Sequence, residues 1–202
     1  RIAAVLLAAG SSRRMGADNK LTQKVGDAAM VRLAAAAILE SRAAPLIVVT
    51  GHDADSVRAV LGGMDVQFVH NPDHADGLSG SLRAGLAALA EDADGAIVCL
   101  GDMPRVTAAQ IDTLIRAFDP TEGRAICVPV FGRKRGNPVL WSRRYFAEMA
   151  GLDGDMGARH LLEEHADQLF ETAMPDDGVL VDVDTPERLR ELRARMTDPA
   201  DE

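Results

Sequence analysis

Aromatic residues are scarce, at 3% of the chain with one Trp and one Tyr. Single-stranded nucleic acid is held by stacking bases on aromatic platforms, and too few rings are available here to build one. Positive charge is also short: 22 Lys and Arg face 31 Asp and Glu, for a formal net charge of −9. Nucleic acid and anionic membranes need a broad positive field, so neither is an expected partner. An anionic small molecule is still compatible, because it responds to the local field of its pocket. Cysteine is limited to Cys99 and Cys127, each inside an apolar run, Ile97-Val98-Cys99-Leu100 and Ile126-Cys127-Val128. With no CxxC spacing and no disulfide framework, buried thiols in a reducing compartment are expected. The longest apolar run near the start, residues 2–9, is too short to span a bilayer and lacks the flanks of a signal peptide. The cytoplasm is the expected setting.

What the chain does have is apolar content. At 202 residues and 47% hydrophobic it can bury a sizeable core. Short β-branched runs at residues 2–7, 46–50, 66–69, 96–100 and 125–130 alternate with amphipathic stretches at 28–40, 54–61, 79–91 and 107–118. Strands that are apolar almost throughout are buried on both faces, which is the mark of a parallel sheet covered by helices. The expected fold is α/β: a doubly wound, mostly parallel sheet flanked by helices, in a single domain. After residue 131 the rhythm changes. A basic, Gly-containing loop leads to Pro138-Val139-Leu140-Trp141, then to helical stretches at 143–149 and 158–165, a late strand at 179–183 and a closing helix at 186–196. No repeat or long linker divides residues 1–196, and 197–202 reads as a flexible tail.

Four segments carry chemistry. The first strand runs into Leu7-Ala8-Ala9-Gly10-Ser11-Ser12-Arg13-Arg14-Met15-Gly16, with Lys20 close behind. Residues with almost no side chain let a ligand approach the backbone, and Arg forks with a Lys point charge suit a triphosphate. The loop is neither a Walker A loop nor a GxGxxG fingerprint; a plain βα turn with a solvated Arg pair is the alternative. Asp102 follows the strand at 96–100 in Gly101-Asp102-Met103-Pro104. There it suits Mg²⁺ bridged to phosphates, or else a simple turn. In Asp182-Val183-Asp184-Thr185-Pro186-Glu187, strand alternation would put both aspartates on one face. One of them completes a metal site, or Asp184 or Thr185 caps the helix that follows. Gly77-Leu78-Ser79-Gly80-Ser81 opens a helix, where hydroxyls meet free N–H groups, or where Ser79 is only the cap. The five histidines share no ligand spacing and are expected to be structural or solvent-exposed.

Taken in order, LAAGSSRRMGADNKL, GLSGSL, CLGDMP, GNPVLW, GDMGAR and DVDTPE resemble the molybdenum cofactor nucleotidyltransferases of the MobA-like NTP transferase family, in particular their cytidylyltransferase (MocA-type) branch. The resemblance implies a Rossmann-like nucleotidyltransferase fold and a transfer of CMP from CTP to the phosphate of molybdenum-bound molybdopterin. It implies that Ala8, Ala9 and Gly10 hold the nucleotide through their backbone, with Ser81 near the base or ribose. Arg14 and Lys20 would grip the triphosphate, and Asp102 with Asp184 (or Asp182) would bind Mg²⁺. Asn137, Asp155 and Arg159, together with the basic loop at 133–135, would lie on the acceptor side. Thr22, Gln23 and Lys24 stand where the family loop is apolar, and Lys24 would add a phosphate contact. Arg188 replaces an acidic residue common after Thr-Pro-Glu. A molybdenum hydroxylase is the implied recipient of the product. The alternatives are a related transferase using GTP or another phosphorylated acceptor, or a non-catalytic protein that binds and delivers the cofactor.

Overall fold

The computed structural model describes residues 1–10, 19–154 and 158–197. The chain begins with β1 (Ile2–Ala8), followed by a short hairpin of β2 (Lys24–Val25) and β3 (Ala28–Ala29) and by α1 (Met30–Leu39). Next come β4 (Leu46–Thr50), α2 (Ala54–Val60), β5 (Gln67–His70), α3 (Leu78–Ala87), β6 (Gly95–Leu100) and α4 (Ala108–Ala117). The remainder holds β7 (Ile126–Phe131), β8 (Lys134–Arg135), β9 (Val139–Ser142), α5 (Phe146–Ala150), α6 (Leu161–Glu164), β10 (Leu169–Ala173) and α7 (Pro186–Thr197).

The main sheet has eight strands in the order β10-β7-β9-β6-β1-β4-β5, with β8 paired to β7. β1 runs parallel to β4 and β6, β4 to β5, and β10 to β7, whereas β9 is antiparallel to both β6 and β7. The result is the expected single α/β domain with a mostly parallel sheet between helices. Side chains of β1 alternate between the two faces. Ala4, Leu6 and Ala8 share a buried cluster with Ile38 of α1, Val57 of α2 and Leu114 of α4. Val5 and Leu7 pack on the other face with Val49, and beyond them Leu82 and Leu86 of α3 join Trp141, Tyr145 and Met149. α3 lies close to the sheet, since a Cβ on Gly85 would sit 2.4 Å from Val5 Cγ1.

Several sequence expectations are corrected. Residues 179–183 are not a strand: a 3₁₀ turn covers Asp177–Leu180, and 181–184 run outside any ladder. The late strand is instead β10, an edge strand with a mostly exposed pattern that hides it from apolar periodicity. β9 was legible only as an apolar stretch, not as an antiparallel insertion. The helix expected at 158–165 shrinks to α6, Leu161–Glu164. The helix expected at 28–40 is shorter, at Met30–Leu39, because Ala28 and Ala29 pair with Val25 and Lys24, and the one expected at 79–91 runs over Leu78–Ala87. The end of the tail, residues 198–202, lies outside the described residues.

Candidate active site

The site lies beyond the C-terminal ends of β1, β5 and β6, where an open α/β sheet leaves a crevice. β1 ends at Ala8, which is buried in the sheet, and Ala9 and Gly10 continue from it into the wall of a cavity of about 450 Å³. Lys20, Asp102, Asp182, Asp184, His74, Gly77, Leu78 and Ser81 also line that cavity. Lys20 is placed by a 3₁₀ turn, Lys20–Thr22, which Asn19 caps by accepting from the Leu21 N–H at 3.0 Å. Leu21 is buried beside it and anchors the turn.

Asp102 follows β6 by one residue. The Gly101 N–H donates to the Leu7 carbonyl at 3.1 Å, and a Cβ on Gly101 would come within 3.2 Å of that oxygen, so a residue without a side chain suits the join. The carbonyl of Asp102 accepts from the Val183 N–H at 3.0 Å. Val183 is fully buried with Val25, Met30, Leu189 and Leu192, which pins the 182–184 segment beside the sheet. Asp182 and Asp184 therefore both reach the cavity, but through this buried anchor and not through strand alternation. Thr185 caps α7, its Oγ1 accepting from the Arg188 N–H at 3.3 Å, and Asp184 before it lines the cavity.

The three charged positions converge. Lys20 Nζ donates to Asp102 Oδ2 at 2.7 Å and to Asp184 Oδ1 at 2.6 Å. Burial alone would lower the Lys20 pKa, but the Asp102 carboxylate, followed by Asp184, raises it above the ordinary lysine value, so the ammonium stays charged. Asp182 is pushed up, first by burial and then by the Asp184 charge. Asp102 Oδ1 is buried and has no hydrogen-bond partner among the described residues. Two carboxylates that already meet on one cation, with a buried oxygen to spare, are hard oxygen ligands suited to a divalent ion.

A second cavity of about 500 Å³ adjoins the first, and Leu7, Leu78 and Leu100 line both. Its wall is apolar, with Leu82, Val98, Val139, Trp141, Met149 and Leu162, and its charged or amide groups are Arg135, Asn137, Arg159 and Glu163. β9 sets this wall by carrying Val139 and Trp141 into the sheet. Of the basic loop, Arg135 lines the cavity and is paired to Glu171 at 2.7 Å; Arg133 sits in the two-residue turn with Gly132, where both have positive φ, and Lys134 is exposed. Lys24, on β2, is not among the residues lining either cavity. Ser79 does not cap α3 but donates its hydroxyl to the Gly154 carbonyl at 2.8 Å. Arg14 and Asp155 lie outside the described residues.

A family model, the MobA-like NTP transferase domain, matches residues 4–169. The chain belongs to this family. Among the relatives of this MobA-like NTP transferase, the purine catabolism protein PucB of Bacillus subtilis (strain 168) is 30% identical over 96% of each chain. Nicotine blue oxidoreductase of Paenarthrobacter nicotinovorans is 26% identical over 95% of this chain and 96% of that one. The molybdenum cofactor cytidylyltransferase of Escherichia coli (strain K12) is 26% identical over 76% of each. Among solved structures, Rv0371c from Mycobacterium tuberculosis H37Rv superposes with a TM-score of 0.84 at 29% identity, covering 96% of this chain and 98% of that one. A manganese complex of the same protein superposes at 0.77, with 28% identity and coverage of 96% and 98%. The MobA-like NTP transferase is thus an enzyme of the nucleotidyltransferase type.

Two residues carry no site motif in the sequence: His74, which lines the first cavity, and Asn71, which supports the loop before it. Asn71 is buried; its Oδ1 accepts from the Asp73 N–H at 3.1 Å and its Nδ2 donates to Ser81 Oγ at 3.1 Å, tying the loop after β5 to α3. His74 lines the first cavity, although histidine spacing alone gave it no role. The signal available was Asn-Pro-Asp directly after a strand, which reads as a side chain-supported turn.

Proposed function

We propose that this enzyme transfers CMP from CTP to the terminal phosphate of molybdopterin, with molybdenum already bound, releasing pyrophosphate and forming the cytosine dinucleotide. The observation that carries this reading is the meeting of Lys20, Asp102 and Asp184 in one cavity that opens onto a second, apolar one edged by Arg135, Asn137 and Arg159. In this reading the first cavity takes the donor and the second the acceptor. The order of sequence segments shared with the cytidylyltransferases supports CTP and molybdopterin as the pair, and the 26% identity to the Escherichia coli cytidylyltransferase adds to that support.

An acceptor phosphate oxygen forms a bond to the α-phosphorus of CTP as the bond to pyrophosphate breaks. The nucleophile is already ionised near neutral pH, so no general base is needed, and alignment with charge neutralisation carries the rate. Lys20, and Arg14 by the family resemblance, would neutralise the triphosphate, with the Ala9 and Gly10 backbone beneath the nucleotide. Asp102 and Asp184 would hold Mg²⁺, which would supply charge neutralisation at the phosphates. Arg159 and Arg135 would hold the acceptor phosphate, and the product would pass to a molybdenum hydroxylase. Nothing in this chemistry requires a membrane or a nucleic acid.

PucB matches at higher identity and over more of the chain than the cytidylyltransferase does, which keeps a second acceptor or donor in the test. The deciding experiment incubates the protein with Mg²⁺, molybdopterin and CTP, GTP or ATP, and identifies the product by mass. The reading expects a cytosine dinucleotide and acceptor-dependent pyrophosphate release with CTP. Turnover with GTP alone would reassign the donor, and no acceptor-dependent release with any nucleotide would leave a cofactor-binding protein in its place.

A further inference from the structure

We propose that His74 is a nucleoside-reading residue: its imidazole contacts the base or ribose of the donor nucleotide and sets which nucleotide binds. This inference rests on the nucleotidyltransferase reading of the same cavity. The cavity wall is divided by chemistry. Among the described residues its cationic and anionic groups are Lys20, Asp102, Asp182 and Asp184, which suit phosphates and an ion. The rest of the wall includes His74, Ala75, Gly77, Leu78 and Ser81, none of them a carboxylate, ammonium or guanidinium. A neutral nucleoside is recognised by such a surface, through a few placed hydrogen-bonding groups on an apolar wall.

His74 is held for that task. It follows β5 on a 3₁₀ turn, His74–Asp76, whose approach is fixed by Asn71. Its side chain is packed so closely on the chain after β4 that a Cβ on Gly51 would come 2.4 Å from His74 Cβ, and Ala9 Cβ would lie 2.9 Å from the same point. The His52 ring stands 5.9 Å away, tilted against it. Within this packing His74 Nδ1 is buried and has no hydrogen-bond partner among the described residues. An orphaned ring nitrogen in contact with apolar neighbours is unfavourable. Turning the ring over exchanges Nδ1 with a C–H, and a nucleoside in the cavity that His74 lines would give the nitrogen a partner, to which it donates or accepts according to its tautomer. Ser81 is the second member of the reader. Its hydroxyl accepts from Asn71 Nδ2, so its own hydrogen remains to be donated.

The test compares binding of CTP with binding of inorganic tripolyphosphate, both with Mg²⁺, by calorimetry. Tripolyphosphate has the charge of the donor and no nucleoside. His74→Phe keeps the ring volume and removes both nitrogens; it is expected to weaken CTP binding about 3- to 10-fold, the effect of one lost hydrogen bond, and to leave tripolyphosphate unchanged. His74→Asn places an amide near Nδ1 and is expected to restore CTP binding to within about 3-fold of the parent protein. The proposal is overturned if His74→Phe binds CTP like the parent, or if it loses CTP and tripolyphosphate alike, since the residue would then only shape the loop. If the parent protein binds tripolyphosphate but no nucleoside triphosphate more tightly, the nucleotidyltransferase reading itself has failed, and this inference with it.

Discussion

Lys20 occupies the point at which two carboxylates converge, so an ammonium stands where the proposed reading puts a metal ion. On that reading, lysine and a divalent ion would compete for the same two carboxylates in the protein without nucleotide. Lys20→Met should therefore bind Mn²⁺ more tightly than the parent when no nucleotide is present, as measured by the loss of the free-ion electron paramagnetic resonance signal, while turnover collapses. Unchanged or weaker Mn²⁺ binding would separate Lys20 from the ion. Asp102→Ala should lower turnover by about 10²–10³ and leave the unfolding midpoint nearly in place, since a charge-stabilising contact is lost from the cavity and none from the core. The cysteines make a different prediction. Burial pushes the Cys127 thiol up to about 12, and the Cys99 thiol higher still. Both stay protonated in the folded chain while an unfolded thiol ionises near pH 8.5, so stability is full below that pH and is lost as pH rises toward the folded values. The slope of unfolding free energy against pH between 9 and 10 should flatten in Cys127→Ala, by about 1 kcal/mol per pH unit. An unaltered slope would mean that this thiol ionises equally well in the folded protein. At this scale the sequence was informative where several charged residues sat in recognisable segments, as with Lys20, Asp102 and Asp184. A lone histidine such as His74 carries no pattern until the fold surrounds it.

The elements show why some pieces could be read and others not. β1, β4 and β6 are apolar nearly from end to end because helices cover both faces, and that pattern is visible without coordinates. β10 is an edge strand that exposes Phe170 and Glu171, and its alternation is lost among polar neighbours. Residues 179–183 mimic a strand in composition, yet their backbone serves as a support. The Val179 carbonyl accepts from the Asn137 N–H at 2.9 Å, and a Cβ on Gly136 would come 2.1 Å from that oxygen. Gly136→Ala must separate these two segments. It is expected to cost about 1–3 kcal/mol of stability and to weaken acceptor binding more than nucleotide binding, because Asn137 moves with it. Trp141 is the only tryptophan and lines the second cavity, so on the proposed reading its fluorescence should change as the acceptor enters. A mutant with normal acceptor titration would show that the close approach is relieved elsewhere.

Across the whole molecule, the site depends on a small core remote from the sheet centre. Val25, Met30, Val183, Leu189 and Leu192 form one buried cluster, and it fixes the segment that carries Asp184. Leu189→Ala, in that cluster and not among the residues lining the cavity, should cost about 2–5 kcal/mol and also loosen Mn²⁺ binding. A stability loss with full metal affinity would show that Asp184 is positioned independently of α7. The layered α/β architecture was legible because parallel sheets leave a compositional trace. The strand order was not, since β9 enters between β6 and β7 against the run of its neighbours, and local pattern says nothing about which ladder a short strand will join.

That reversed insertion has a consequence for how such enzymes diverge. On the proposed division, among the described residues the stretch from Arg135 to Glu163 supplies the charged and amide groups facing the acceptor, whereas the donor side draws on strands laid down earlier and on the far end of the chain. A recombination confined to the middle of the gene would then exchange one partner molecule and keep the other, and grafts between homologues at these two joints should inherit acceptor preference from the insert and nucleotide preference from the host.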